Sequence, residues 1–166
     1  NTFTMDGGSI HVTSNSAGKA TGIDTSRAEK TTLNLGDNTH IEINSGTERG
    51  SGLYFGKDTT LNANGLVIDV TTLDSANTVM IYGIQTGSNN HINLGEGSKI
   101  TLSTPGGTAY GLTSGRGSQI AANNLTIDVS TTSTGHTSGR GADISGNIDF
   151  GHDSTITVAG FSEGYG

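Results

Sequence analysis

The residues in this sequence best suited to chemistry are carboxylates that recur at one position of a repeated pattern. Glu42 and Asp69 are each the central residue of an apolar-polar-apolar triplet, and Asp128 holds the same place further along the chain. Two carboxylates about 5 Å apart could form the catalytic pair of a retaining glycosidase or hold a cation. Arg49 or Lys57 would supply the assisting basic group.

The same central positions also carry residues with no catalytic role. The row begins with His11 and contains Thr101 and Thr157. A solvated, charged face that blocks pairing with other sheets explains such a row as well. No Ser or Thr has a matched His and Asp in the pattern, and the chain has no Cys, so nucleophilic catalysis is unsupported. We therefore expect no enzymatic activity and no catalytic residue.

Acidic and amide residues also recur at the corner that follows the first triplet of each repeat. They are Asp6, Asp37, Asn64, Glu96, Asn123 and Asp153. A file of carboxylates could bind Ca²⁺, but the Gly-Gly-x-Gly-x-Asp nonapeptide of calcium β-rolls is absent. Asp and Asn are expected at tight corners for backbone reasons alone. The five histidines share no metal-ligand spacing, so we expect neither metal nor cofactor.

Three tyrosines form the third candidate. Tyr54, Tyr82 and Tyr110 are separated by 28 residues each. Stacked outside the fold, they would make a sugar-binding platform or an interaction strip, because aromatic rings contribute large contact energies. When the repeats are aligned on their glycines, Tyr54 does not fall at the position that Tyr82 and Tyr110 share. Some of the rings could therefore face inward.

These candidates are positioned by a repeat of about 28 residues that occurs six times. Its plainest copies are Leu-Asn-Leu-Gly-Asp-Asn-Thr-His-Ile-Glu-Ile at 33–43, Ile-Asn-Leu-Gly-Glu-Gly-Ser-Lys-Ile-Thr-Leu at 92–102 and Ile-Asp-Phe-Gly-His-Asp-Ser-Thr-Ile-Thr-Val at 148–158. First triplets start at Phe3, Leu33, Leu61, Ile92, Ile120 and Ile148, and second triplets at Ile10, Ile41, Ile68, Ile100, Ile127 and Ile156. The third recurring position is a glycine, read as Gly22, Gly52, Gly83, Gly111, Gly139 and Gly164.

Strict alternation over three to five residues predicts short strands with one buried face, and no segment has helical periodicity. Six such units fit either a parallel β-helix or an antiparallel sandwich or propeller. The segments between the second triplet and the glycine vary in length, which a coil tolerates and hairpin register does not. The sequence therefore predicts a right-handed parallel β-helix of about six coils with three short strands each. Residues 1–166 would form one domain, a fragment of a longer protein.

Composition limits the possible partners. The formal net charge is -7, which argues against nucleic acid and anionic membrane surfaces. No apolar run approaches the length of a membrane span. Only 30% of the residues are hydrophobic and 27 are Gly, yet the apolar residues fall in regular triplets, which indicates an organised core.

The repeated Leu-Asn-Leu-Gly-x-x-Ser/Thr-x-Ile-Thr-Leu and the Leu-x-Ile-Asp-Val variant at 66–70 and 125–129 resemble passenger domains of Gram-negative autotransporters, of the pertactin-like adhesin type. The resemblance covers the whole chain. It implies export to the bacterial cell surface through a C-terminal outer-membrane β-barrel that is not in this sequence, and a role in adhesion, aggregation or biofilm formation. The Gly-Asp-Ser-Gly motif of protease-type passengers is absent, so no catalytic residue is implied.

We accordingly expect a surface-exposed, non-enzymatic adhesin or self-association module. Its partner would be a host-surface glycan or protein, or a like molecule. Contacts are expected in the variable loops 44–51, 71–78, 103–109 and 130–138, because binding usually occurs on loops of a rigid scaffold. The alternative is a polysaccharide lyase or hydrolase of the β-helix type. The candidate contact residues are Asn44, Thr47, Glu48, Arg49, Tyr54, Asp74, Asn77, Tyr82, Tyr110, Thr134 and His136.

Overall fold

Three parallel sheets of six strands each build the protein. The computed structural model describes residues 1–15, 18–46, 49–76, 78–133 and 135–166, and none of these is helical. The first sheet contains β1 (Thr2–Met5), β4 (Thr32–Leu35), β7 (Thr60–Ala63), β10 (His91–Glu96), β13 (Gln119–Asn123) and β16 (Asn147–Asp149). The second contains β2 (Gly8–Ser14), β5 (Thr39–Ser45), β8 (Val67–Thr72), β11 (Lys99–Thr104), β14 (Thr126–Thr131) and β17 (Thr155–Ala159). The third contains β3 (Lys19–Thr25), β6 (Arg49–Phe55), β9 (Met80–Thr86), β12 (Gly107–Ser114), β15 (Thr137–Ile144) and β18 (Glu163–Tyr165).

Neighbours within each sheet are three strands apart in the chain, so every coil contributes one strand to each sheet. The chain makes about five turns between β1 and β16. The predicted parallel β-helix with three strands per coil is confirmed, and the sandwich and propeller are excluded because all strand pairs are parallel.

Apolar residues of the triplets stack in register inside the coil. Ile41 pairs with Ile68, and Ile68 with Ile100, along the second sheet. In the first sheet Leu33 pairs with Leu61. All of these side chains are at most 1% exposed, so the two ladders predicted from the triplets are confirmed.

At the corner between the first two strands, a buried leucine and a serine alternate from one coil to the next. Leu66 and Leu125 are buried there in one set of coils, and Ser98 and Ser154 take the equivalent place in the coils between them. The Ser98 hydroxyl donates to the carbonyl of Leu94 at 2.6 Å and accepts the backbone N–H of Leu66 at 3.2 Å. Buried backbone donors need such partners. A leucine in one coil is therefore matched by a hydroxyl in the next, which explains why the Leu-x-Ile-Asp-Val variant recurs at 66–70 and 125–129, two coils apart.

A column of glycines in the third sheet is set by packing against the second. It consists of Gly22, Gly52, Gly83, Gly111 and Gly141. A Cβ on Gly83 would lie 2.3 Å from Ile100 Cγ2 and 2.5 Å from the carbonyl oxygen of Gly111, and each of the others meets the isoleucine of the next coil in the same way. Only a residue without a side chain fits there.

The sequence-based choice of Gly139 and Gly164 for this column is wrong. Gly139 pairs with Ala109 on one side and with Gly164 on the other, two positions away from the column. A Cβ on Gly139 would instead lie 2.4 Å from the Phe161 ring. Gly141 belongs to the column because it faces Ile156.

Replacing Gly83 with alanine is expected to destabilise the protein by about 3 kcal/mol or more, since neither the backbone oxygen nor the isoleucine can move away without disturbing the stack. Urea unfolding followed by circular dichroism measures the change. Gly97→Ala is the matched control, because Gly97 has a φ of 70° but no atom within 4 Å of its Cβ position. Its cost should be only the strain of that conformation, about 1–2 kcal/mol. A Gly83→Ala cost no larger than the control's would contradict the packing argument.

Candidate functional site

The variable loops lie along one edge of the solenoid, at the corner between the second and third strands. In the middle coils the connections cover 46–48, 73–79, 105–106 and 132–136, and 73–79 is the longest of these. They are shorter than the loops expected from the sequence. Asn44 lies within β5 and Arg49 begins β6, because strand pairing extends further than alternation of apolar residues indicates.

Leu73 begins the longest connection, Met80 directly follows it, and both are exposed to solvent. Leu73 is 83% exposed and Met80 is 44% exposed. The other large hydrophobic side chains exposed in the described ranges, Phe3, Ile148 and Tyr165, belong to the first and last coils. Apolar side chains left exposed beside polar loops mark interaction sites when they cluster. Met80 was not predicted from the sequence. Leu73 lies in the predicted contact loop 71–78 but was not among the candidate contact residues, although it is an apolar residue directly after the alternating strand 67–72.

A small depression adjoins Leu73. It has a volume of about 150 Å³ and is lined by Thr13, Asn15, Asn44, Ser45, Gly46, Thr71 and Leu73. Most of the lining surface is apolar, although the residues are chiefly polar in type, and the exposed leucine is part of the lining. The end of the second sheet and the loop therefore form one continuous surface.

Hydrogen bonds shape this edge at the predicted contact residues. Asn44 donates its amide to Glu42 Oε1 at 2.8 Å. The Asp74 carboxylate accepts the backbone N–H of Ala76 at 2.9 Å, which turns the chain at the start of the loop. His136 is exposed at the end of the connection 132–136. Thr47, Glu48, Asn77 and Thr134 lie outside the described residues.

Tyr82 and Tyr110 stack on the outer face of the third sheet. Their ring centroids are 5.0 Å apart with an interplanar angle of 6°. The Arg49 guanidinium covers Tyr82 at 5.3 Å, and Arg140 covers Tyr110 at 5.6 Å and Tyr165 at 5.5 Å. The flat faces of Tyr82 and Tyr110 are thus occupied by neighbouring coils. Tyr82 is also only 8% exposed, and its hydroxyl donates to Met80 Sδ at 3.5 Å.

Tyr54 lies in a different column of the third sheet. It pairs with Gln85, three residues beyond Tyr82 along β9. The Lys19 ammonium sits 3.7 Å from the centre of its ring. The three tyrosines spaced by 28 residues therefore do not form one strip, and a face-on sugar platform is not what this sheet presents.

The row of outward carboxylates exists as predicted, and two of its acids, Glu42 and Asp69, are each engaged by a histidine. Glu42 pairs with Asp69 in register. His11 Nδ1 lies 2.8 Å from Glu42, and His40 Nε2 lies 2.8 Å from Asp69. The two basic residues proposed to assist are elsewhere. Arg49 stacks on the third sheet, and the ammonium of Lys57 lies 2.9 Å from Glu29.

The acidic corner is held by hydrogen bonds between coils. Asn64 donates to Asp37 Oδ1 at 2.8 Å and accepts the backbone N–H of Glu96 at 2.7 Å. Within the described ranges, no group of three or more His, Cys, Asp or Glu side chains is arranged to hold a metal ion. The corner residues thus link successive coils.

Comparison with protein-family models, with curated proteins and with solved structures finds no match for this chain. A search of the described residues for a helix long and apolar enough to cross a membrane also finds none.

Tyr82 should ionise at a higher pH than an ordinary tyrosine, because burial raises the pKa of its hydroxyl more than nearby Arg49 lowers it. A raised pKa in the folded protein contributes stability that is complete below about pH 10 and is lost as the pH rises through the folded value. Phenolate absorbance measures the titration. Tyr82→Phe should remove the component that ionises last, whereas Tyr110→Phe should keep it. Loss of the same component in both variants would refute the assignment.

Glu42 should ionise at a lower pH than an ordinary glutamate, since the hydrogen bond from Asn44, and next the one from His11, lower its pKa. Its contribution to stability is present above the ordinary pKa and is lost as the pH falls through the folded value. The ¹³C shift of the Glu42 carboxyl reports the pKa. Asn44→Ala should raise it more than His11→Ala does, and Asn34→Ala on the first sheet should leave it unchanged. Equal shifts in all three variants would count against the hydrogen bonds as the cause.

Proposed function

We propose that this protein is an extracellular, non-enzymatic adhesive module displayed at a bacterial cell surface. Its contact edge consists of Asn44, Arg49, Leu73, Asp74 and Met80. The partner is a second copy of the chain or a host-surface glycan or protein. The observation that carries the proposal is Leu73, 83% exposed on the longest connection of the edge.

The energetics of such an edge favour adhesion by many weak contacts. Burying an exposed leucine contributes about 2 kcal/mol. Each hydrogen bond from the surrounding Asn, Ser and Thr side chains adds about 1 kcal/mol or less after the loss of water. A single edge therefore binds weakly, but many copies on one cell act together and raise the effective affinity.

The scaffold supports display outside the cell. Registered coils hold the edge rigidly, so that loops of different length project from a fixed line. The motif copies at 33–43, 92–102 and 148–158 support an autotransporter passenger, and the absence of Cys is compatible with passage of an unfolded chain through a pore.

The alternative, a polysaccharide lyase or hydrolase, has weaker support. Glu42 and Asp69 are each paired with a histidine on the face of the second sheet. Neither acid lines the depression beside Leu73, and Arg49 and Lys57 contact other residues. Incubation with acidic polysaccharides should release no unsaturated or reducing ends, and turnover abolished by Glu42→Gln would establish the enzyme instead.

Bead assays test the adhesive edge. Beads coated with the chain are mixed with one another and, in a second arm, applied to immobilised extracellular-matrix proteins and glycans. Wild-type beads should aggregate or adhere in at least one arm. Leu73→Ser should weaken that binding by about tenfold or more, as expected from losing about 2 kcal/mol of apolar burial.

Tyr165→Ser is the matched control, because Tyr165 is 54% exposed in the last coil, away from the edge. It should leave bead binding unchanged, and circular dichroism should show both variants folded. Absence of binding in both arms would refute the adhesive function. Equal binding by wild type and Leu73→Ser would refute the edge as its site.

A further inference from the structure

A second depression lies on the outer face of the first sheet, far along the coil surface from the contact edge. Its volume is about 530 Å³, within the range of small-ligand sites. It forms because Ala121 stands between Asn93 and Asp149 in a row of outward side chains that is otherwise longer and polar. The missing side chain leaves a hollow across β10, β13 and β16.

Hydrogen-bonding groups of both kinds surround this hollow. Asn62 donates its amide to Asn34 at 3.0 Å, which leaves its own carbonyl oxygen open. Asn93 accepts the N–H of Gly95 with its carbonyl oxygen at 3.1 Å, which leaves its NH₂ group open.

One column of the wall is formed by side chains that have no hydrogen-bond partner among the described residues. It runs in register through His91, Gln119 and Asn147. None of the three makes a side-chain hydrogen bond within the described part of the chain. The hollow therefore offers both donors and acceptors to a ligand.

Charge and apolar surface narrow the class of ligand. No Lys or Arg lines the hollow, and Asp149 is its one carboxylate, so an anionic ligand would be repelled. Apolar atoms form somewhat more than half of the lining, and Ala121 and Ile148, which is 39% exposed, contribute to them. A wholly apolar ligand would cover the amide groups of the walls without giving them hydrogen-bond partners, whereas a pyranose ring offers hydroxyls for the walls and a C–H face for the floor.

An extended peptide fits this surface less well. Peptides add to sheets through unpaired strand edges. Here β10 and β13 are each paired on both sides, so a peptide lying in the hollow would meet only side chains. The last strand, β16, is paired on one side, and a peptide added at its other edge would lie beside the hollow and not in it. The hollow spans three strands, roughly 10 Å along the axis at about 4.8 Å per strand.

We propose that this hollow, walled by Asn62, His91, Asn93, Gln119, Asn147 and Asp149 over Ala121, binds a short neutral oligosaccharide. Hydroxyls of the sugar exchange hydrogen bonds with the amides, and its C–H face lies on Ala121. No Phe, Tyr or Trp ring lines the hollow to stack on the sugar, so binding is expected to be weak, with a dissociation constant of about 1 mM. The proposal does not depend on the adhesive edge, which is a separate surface.

The test uses ¹⁵N-labelled chain titrated with neutral hexasaccharides (cellohexaose, mannohexaose and chitohexaose). Oligogalacturonate and the peptide Ac-(Asn-Thr)₃-NH₂ serve as the anionic and peptide arms. At least one neutral sugar should shift the side-chain amides of Gln119, Asn147 and Asn93. Ala121→Gln should fill the hollow and weaken binding about tenfold or more. Ser130→Gln, an exposed position on the second sheet, should bind as wild type does.

The proposal is overturned if no neutral sugar binds at several times the expected dissociation constant, or if the shifts fall outside the hollow. It is also overturned if oligogalacturonate or the peptide binds as well as the best neutral sugar, or if Ala121→Gln has no effect. Bead aggregation and bead binding to matrix proteins separate the two proposals: Ala121→Gln should leave both intact, and Leu73→Ser should leave sugar binding intact.

Discussion

The close approach of two sheets inside the solenoid is the constraint on which the rest of the structure depends. In the third sheet a column of glycines faces the isoleucines of the second, each from the next coil. A Cβ at any of the five positions would come within 2.0 to 2.5 Å of an isoleucine methyl carbon. Because the interior is packed at this distance, no coil can slip by a residue without driving a side chain into its neighbour. The column therefore fixes the register between the second and third sheets along most of the axis.

Fixed register turns the outer surface into columns of side chains that stack from coil to coil. Stacking satisfies many of them internally. Tyr82 lies between Arg49 and Tyr110, and Asn64 links Asp37 to Glu96. A side chain that continues its column is thus stacked on or hydrogen-bonded to the side chains of adjacent coils. A side chain that interrupts such a column is not held by the adjacent coils and can contact a partner. Both proposed binding surfaces lie at interruptions of this kind. Leu73 projects beyond the end of a strand, and Ala121 is too short for its row.

The buried side of this arrangement could be predicted well from sequence. Alternation identified the ladders through Ile41 and Leu33, and the outward position of Glu42, because burial of one strand face imposes a period of two. The glycine column was less predictable. Gly139 and Gly141 are two residues apart and either fits alternation, so the choice depends on which one faces Ile156. The extent of β5 and β6 was also underestimated, since backbone pairing continues where side chains no longer alternate.

What the sequence determined by itself is the repeat and the two-faced strands, because these follow from local chemistry that recurs every 28 residues or so. What only the tertiary structure decided is which side chains meet across coils. His40 reaches Asp69 at 2.8 Å, although 29 residues separate them in the chain. Likewise, two tyrosines separated by 28 residues cover one another's faces, while a third with the same spacing stands in another column. Spacing along the chain counts residues in loops of unequal length, whereas contact depends on register, and register is set by packing in the core.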